Sequence, residues 1–248
     1  MIVFITGATA GFGTAIARTF IREGHKVVAA GRRKERLAAL ATELGDALLP
    51  FALDITDRSA VEAVAGALPS GFAAIDVLVN NAGLALGLEP AHKIDLDDLD
   101  TMIATNVTGL ARMTRALLPG MVERNRGHIV NLGSVAAHFP YPGGNIYGAT
   151  KAFVHQFSLN LRADLLGTPV RVTNIEPGLC GGTEFSNVRF KGDDAKAAKL
   201  YEGTEPLTAT DIADTVYWVA TRPAHVNINS VQMMPVCQAF GPLAVKRS

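Results

Sequence analysis

Ile2-Val-Phe-Ile-Thr-Gly-Ala-Thr-Ala-Gly-Phe-Gly13 decides how this chain folds. Its first five residues are apolar or β-branched and read as a buried strand over 2–6. Gly7, Gly11 and Gly13 follow, and apolar residues then recur at helical spacing over 11–23. Strand, glycine turn and helix in that order let the backbone come close to a pyrophosphate, with free amide donors and the positive end of the helix dipole facing the phosphate charge. The spacing is Gly-x3-Gly-x-Gly and not the usual dinucleotide fingerprint, so the strand before and the helix after carry the reading. A glycine turn serving only close packing is the competing one.

Outward from that stretch, short β-branched runs alternate with helical patterns. Strands are expected over 26–30, 47–53, 77–80, 127–133, 170–176 and near 231–233. Helices are expected over 34–44, 59–67, 96–124 with interruptions, and 145–166. The alternation predicts the α/β class, with a doubly wound parallel sheet of the Rossmann type. A chain of 248 residues suffices for one large domain. No repeat or linker divides it, so a single domain over 1–248 is expected, with an irregular insertion at about 179–207 as a candidate substrate lid.

Composition narrows the class. Apolar residues make up 48% and charged residues 19%, which excludes a disordered or fibrous chain. Lys plus Arg and Asp plus Glu are both 23, so the formal net charge is zero and leaves no footprint for nucleic acid or an anionic membrane. Cys180 and Cys237 are the only cysteines, far apart and without metal-ligand spacing; neither a zinc site nor a disulfide framework is implied, and a reducing compartment fits. The first 17 residues lack a charged side chain, yet they have no basic leader and hold three glycines and three threonines, as a strand and loop would. A soluble cytoplasmic protein is expected.

Two further patterns carry chemistry. At the end of the second expected strand, an acidic residue would bond a ribose 2′-hydroxyl and exclude a 2′-phosphate. Gly31-Arg32-Arg33 stands there instead, and two guanidiniums favour a 2′-phosphate, hence NADP over NAD. Arg33 could instead belong to the basic, solvated start of the next helix. Farther on, Tyr147-Gly-Ala-Thr-Lys151 sets a phenol and an amine four residues apart, on one helix face. A phenol ionises near pH ~10 in water, so a Tyr exchanging a proton near neutrality needs a cation beside it. Lys151 can be that cation, and Ser134 ends an apolar run that would deliver a hydroxyl to the same cleft. The set points to alcohol and carbonyl chemistry.

With these motifs placed, the chain resembles the short-chain dehydrogenase/reductase family over nearly its whole length. Thr6 to Gly13 matches the family's phosphate loop, with contacts from Gly7, Thr9, Ala10, Gly11 and Phe12. Asp54-Ile55 matches its adenine contact, Asn80-Asn81-Ala82-Gly83 its ribose-side motif, and Pro177-Gly178-Leu179 with Thr183 its nicotinamide-side loop. Asn106, Ser134, Tyr147 and Lys151 match its catalytic tetrad. The resemblance implies hydride transfer with Tyr147 as general acid and base, and Ser134 bonding the substrate oxygen. Lys151 would depress the Tyr147 pKa and bond the nicotinamide ribose, and Asn106, in a helix interruption, would hold a water in a proton relay. It also implies a homotetramer paired through the Tyr147 helix, along which Phe153, Phe157, Leu161 and Leu165 recur.

The stretches 181–193 and 223–229 resemble the NADP-dependent 3-hydroxy acid dehydrogenase subgroup, which acts on serine, allo-threonine and 3-hydroxyisobutyrate or on semialdehydes such as malonic semialdehyde. A small carboxylate needs a cation near the reacting carbon, for which Arg189 and Lys191 are candidates unless they are solvated loop charges. A 3-oxoacyl thioester reductase and a non-catalytic NADP-binding sensor are the alternative functions. His92, His128, His138 and His155 share no metal-ligand spacing, so no metal is expected. Cys180 reads as a small packing residue beside the nicotinamide-side loop. The tail 235–248 either caps a neighbouring subunit or frays.

Overall fold

The β-branched runs form strands β1 (Ile2–Thr6), β2 (Lys26–Gly31), β3 (Leu48–Ala52), β4 (Val77–Asn80), β5 (His128–Leu132), β6 (Arg171–Pro177) and β7 (Ser230–Met233). They pair in the order β3-β2-β1-β4-β5-β6-β7, every pairing parallel. This computed structural model describes residues 1–241; residues 242–248, the end of the tail expected to cap a neighbour or fray, lie outside the described residues. Each expected strand is present, with ends differing by a residue or so.

Helices α1 (Gly11–Arg22), α2 (Lys34–Leu44), α3 (Arg58–Ala67), α4 (Leu96–Ile103), α5 (Leu110–Glu123) and α6 (Asn145–Asp164) follow the expected pattern. The expected interruption of 96–124 is a π-helical segment, Ala104–Gly109, between α4 and α5. The 179–207 insertion is more ordered than an irregular lid, because α7 (Phe185–Arg189) and α8 (Asp194–Lys199) lie within it. A further helix outside the expected pattern is α9 (Ala209–Ala220). Its first turn is closed by a capping box, the Thr208 hydroxyl accepting from the Asp211 amide while the Asp211 carboxylate accepts from Thr208.

Alternation along β1 shows how both faces are covered. Val3 and Ile5 join Ile16 and Phe20 of α1 and Ile212, Val216 and Val219 of α9 in one buried cluster. Phe4 joins Met113, Leu117 and Met121 of α5 and Leu161 of α6 in the other. At about 1.5–3 kcal/mol for each large apolar side chain taken from water, these clusters outweigh exposed ion pairs, worth about 0–1 kcal/mol each. The fold is thus held by its two apolar layers, which leaves the polar groups at the strand ends for other work. Strand order reverses between β1 and β4, which opens a crevice above their carboxyl ends. Among the described residues no helix is long and apolar enough to cross a membrane.

Candidate active site

The crevice is a cavity of about 340 Å³ lined by Gly7, Thr9, Ala10, Gly11, Phe12, Arg32, Arg33, Asp54, Ile55, Asn81, Tyr147, Lys151 and Thr183. Its floor is built from backbone. Gly7 has a φ of 67°, in the left-handed region that glycine tolerates. A Cβ on Gly13 would run into the Gly7 carbonyl and sit 2.8 Å from the Ala8 Cα, so α1 meets the loop at a contact only glycine allows. Ala10 precedes α1 without a side-chain cap, which leaves the first-turn amides facing the cavity. The loop is pinned to β4: Asn81 Nδ2 donates to the Thr6 carbonyl at 2.9 Å and the Gly7 carbonyl at 3.1 Å, while the Thr6 hydroxyl accepts from the Asn81 and Ala82 amides at 3.0 Å.

At the adenine-ribose end Arg33 is already engaged. Its Nε and Nη2 donate to the Thr9 hydroxyl at 3.0 and 2.9 Å, and its Nη1 lies 2.8 Å from Glu184. Arg32 is 69% exposed, and among the described residues its one ion-pair partner is Asp54 at 4.0 Å. Asp54 is itself held by the Thr56 amide and hydroxyl at 2.9 and 2.8 Å.

A second cavity of about 350 Å³ adjoins the first and is lined by Ser134, Tyr141, Tyr147, Pro177, Gly178, Leu179, Thr183, Phe185, Arg189 and Gln238. Tyr147 borders both cavities, Lys151 only the first and Ser134 only the second. Ser134 follows β5 and opens a short 3-10 turn, its hydroxyl accepting from the Ala136 amide at 3.1 Å and donating to the Pro177 carbonyl at 3.4 Å. Asn106 lies in the π-helical segment, borders neither cavity and is buried. Its amide clamps Leu84, accepting from the Leu84 N–H at 2.9 Å and donating to its carbonyl at 2.8 Å, and it also donates to the Thr150 hydroxyl at 3.1 Å. Gly83 separates it from Lys151; a Cβ there would lie 3.2 Å from Asn106 Oδ1 and 3.6 Å from Lys151 Nζ.

Two cations, Lys151 and Arg189, stand near the ring of Tyr147. Burial pushes its phenol up to about 12, opposed by a hydrogen bond with Ser134 and by the positive charge of Arg189. Lys151 is turned to the backbone of β5. Its Nζ donates to the Leu132 carbonyl at 2.7 Å and stands 5.7 Å from the Tyr147 ring centre, and burial pulls the ammonium down to about 8. Arg189 lies instead with its guanidinium 5.2 Å from the Tyr147 ring centre and donates to the Tyr141 hydroxyl at 2.9 Å. Its Nε is buried without a hydrogen-bond partner among the described residues.

Known proteins resemble the whole of this chain. A family model described as short chain dehydrogenase matches residues 1–194. The chain is 66% identical over 248 residues to the NADP-dependent 3-hydroxy acid dehydrogenase of Salmonella typhi, with all of both chains covered. The chain belongs to the short chain dehydrogenase family. To the serine 3-dehydrogenase of Agrobacterium fabrum this dehydrogenase is 57% identical over 245 residues, covering 99% of itself and 98% of that relative. It superposes on a solved structure, the closed form of serine dehydrogenase complexed with NADP+, with a TM-score of 0.99 at 63% identity and all of both chains covered.

Several residues of the dehydrogenase site were not anticipated. Tyr141 and Phe185 form the aromatic wall around Arg189, Phe185 meeting the Tyr147 ring edge-on at 5.7 Å. Gln238, from the tail, accepts from the Leu179 amide at 2.7 Å and so ties down the loop after β6. Lys191, a candidate for the substrate carboxylate, is corrected: it follows α7 with a φ of 54°, and its ammonium pairs with Asp98 at 2.9 Å, outside the second cavity. Cys180 is half-buried against the core, and burial pushes its thiol up to about 12, away from thiolate chemistry.

His138 and His155 are also brought together, which their spacing did not suggest. Both donate to Oε1 of the buried Glu176, at 2.8 and 2.9 Å, and Asn174 Nδ2 donates to the same oxygen at 2.8 Å. The Ser230 hydroxyl donates to Oε2 at 3.0 Å. Tetrahedral zinc ligands, about 2.0–2.1 Å from the metal, stand about 3.3 Å apart. The shorter histidine–carboxylate separations here suit N–H donors on a carboxylate, and the cluster is a hydrogen-bonded knot centred on Glu176.

Proposed function

We propose that this dehydrogenase transfers hydride between NADP and the hydroxyl-bearing carbon of small 3-hydroxy acids, such as serine, allo-threonine and 3-hydroxyisobutyrate, or reduces matching semialdehydes such as malonic semialdehyde. The observation that carries the substrate class is Arg189: a guanidinium walled by aromatic rings, with a buried Nε unpartnered among the described residues, over the ring of the proton-transferring Tyr147. A carboxylate accepts charge-assisted bonds from such a group and thereby fixes the hydroxyl at a set distance from it. A 3-oxoacyl thioester brings no free carboxylate to Arg189, which speaks against that alternative, and a sensor needs no such wall. The named activities of the relatives at 66% and 57% identity support the same reading.

For NADP, the glycine contact at Gly13 and the open amides of α1 suit a pyrophosphate, and Arg32 with Arg33 suits a 2′-phosphate. The nicotinamide ring supplies or accepts the hydride. The chain does the rest. Tyr147 takes the hydroxyl proton in oxidation and returns it in reduction. Ser134 donates to the substrate oxygen as charge develops there. Lys151 takes up or releases a proton at Nζ, and Asn106 fixes the Leu84 backbone beside it. Pro177, Gly178, Leu179 and Thr183 form the nicotinamide-side wall.

A homotetramer is proposed with this activity. Phe153 and Leu159 of α6 and Trp218 of α9 are 37%, 41% and 45% exposed, more apolar surface than these helices need in isolation. A monomeric mass by light scattering would remove that part. Two free thiols, Cys180 and Cys237, favour a reducing cytoplasm.

The test is initial-rate spectrophotometry with NADP and with NAD against serine, allo-threonine, 3-hydroxyisobutyrate and a plain secondary alcohol. We expect NADP-dependent oxidation of the hydroxy acids, with Tyr147→Phe losing about 10²- to 10⁴-fold in turnover while NADP affinity stays. Silence with every hydroxy acid, together with reduction of a 3-oxoacyl thioester, overturns the substrate class.

A further inference from the structure

One carboxylate ties the lid to the cofactor crevice. Glu184, immediately before α7, accepts from Arg33 Nη1 at 2.8 Å and from Arg36 Nη1 at 2.6 Å. Arg33 in turn holds the Thr9 hydroxyl of the phosphate loop, and Arg36 reaches the Thr9 carbonyl at 3.5 Å. The two guanidiniums keep the Glu184 carboxyl below its usual range. At the other end of α7, Arg189 lies over Tyr147, and its carbonyl accepts from the Gly87 amide at 2.9 Å. Residues 185–189 make only about one and a half helical turns. No joint separates Glu184 from Arg189, so the strap moves as a piece.

We infer that Glu184 is a positioning residue: it latches the lid to the arginines at the 2′-phosphate end and so holds Arg189 over Tyr147 at the substrate end. The inference rests on the reading of Arg189 as the carboxylate anchor. Two opposite effects follow from removing the carboxylate. The strap loses its tether, so Arg189 spends less time in place and the hydroxy acid binds less well. Arg33 and Arg36 lose their internal anion, so a 2′-phosphate meets more unbalanced positive charge and binds as well as before or better. A side chain that served only local structure would weaken both.

Glu184 is 43% exposed, so Glu184→Gln is sterically mild. In the full chain we expect the KM for the hydroxy acid to rise about fivefold, the scale of a small surface ion-pair network, with kcat within about twofold of the parent. The NADP dissociation constant, read by calorimetry, should be unchanged or lower. Hydrogen exchange at the Val188 and Arg189 amides should quicken while the melting temperature holds. A hydroxy acid KM that does not move, or a rise matched by weaker NADP binding, overturns the latch. Wild-type protein that is silent on hydroxy acids fails the substrate reading instead, and unchanged exchange at Val188 and Arg189 then removes the latch on its own.

Discussion

Arg189 and Lys191 stand two residues apart in one charged stretch, yet only the first faces the Tyr147 ring. The backbone decides it: Arg189 is the last residue of α7, whereas Lys191 has turned into the left-handed region and points its ammonium at Asp98. Because a positive charge favours phenolate, Arg189 lowers the Tyr147 pKa that burial raises. Arg189→Gln removes that charge, so phenolate becomes harder to form. We expect the pH profile of kcat for hydroxy acid oxidation to shift its rising limb to higher pH, alongside a higher KM. A limb that stays in place with only KM changed would mean that Arg189 binds carboxylate without acting on Tyr147. Arg32 and Arg33 divide in the same way, Arg33 engaged by Thr9 and Glu184 and Arg32 exposed, with Asp54 at 4.0 Å.

At the scale of elements, the knot at Glu176 joins β6 to α6, to β7 and to the 3-10 turn after Ser134. Its carboxylate is 2% exposed and accepts four side-chain bonds. Glu176→Leu leaves the donors of His138, His155, Asn174 and Ser230 facing an apolar group, and should cost about 3 kcal/mol. Urea unfolding at pH 7 reads this as a lower midpoint at unchanged slope; a loss under about 1 kcal/mol would mean that water takes over the donors. Little of this knot was legible in the chain: Asn174 stands two residues from Glu176, but His155, His138 and Ser230 lie 21, 38 and 54 residues from it and meet it only in the folded sheet. Glu184, 151 residues from Arg33, was hidden for the same reason. The strands and most helices were legible because their signals are local: β1, β4 and α2 fall where the pattern put them. α9 is the instructive miss. Ile212, Val216 and Val219 keep helical spacing, but Thr, Val, Tyr and Trp are middling helix formers and mask it, and only packing on α1 settles the matter. The Tyr147 and Lys151 pair was legible because four-residue spacing is local, whereas the approach of Arg189 to the same ring depends on where α7 packs.

At the scale of the whole molecule, the site is a burden on stability, and pH exposes it. Burial holds Lys151 at about 8 against an ordinary 10.5, so below pH 8 the native state carries a buried charge that the unfolded chain hydrates freely. The unfolded state binds more protons between pH 8 and 10.5, so stability rises with pH across that window. Tyr147 works the other way: its phenol, at about 12 against 10.0, stays protonated in the native state while the unfolded one ionises, so stability falls between pH 10 and 12. At about 1.4 kcal/mol per unit, the Lys151 penalty at pH 7 is about 3 kcal/mol. Lys151→Met keeps the length of the side chain and removes the charge. It should raise stability at pH 7 by a good part of that amount, flatten the rise between pH 8 and 10.5, and abolish turnover, the trade expected of a buried charge kept for the proposed proton transfer. Denaturant unfolding of both proteins at pH 7, 9 and 10.5 reads the difference: the variant's advantage should shrink steadily as pH climbs. An advantage that stays constant with pH would instead place the gain in packing and leave Lys151 uncharged or well hydrated in the native protein.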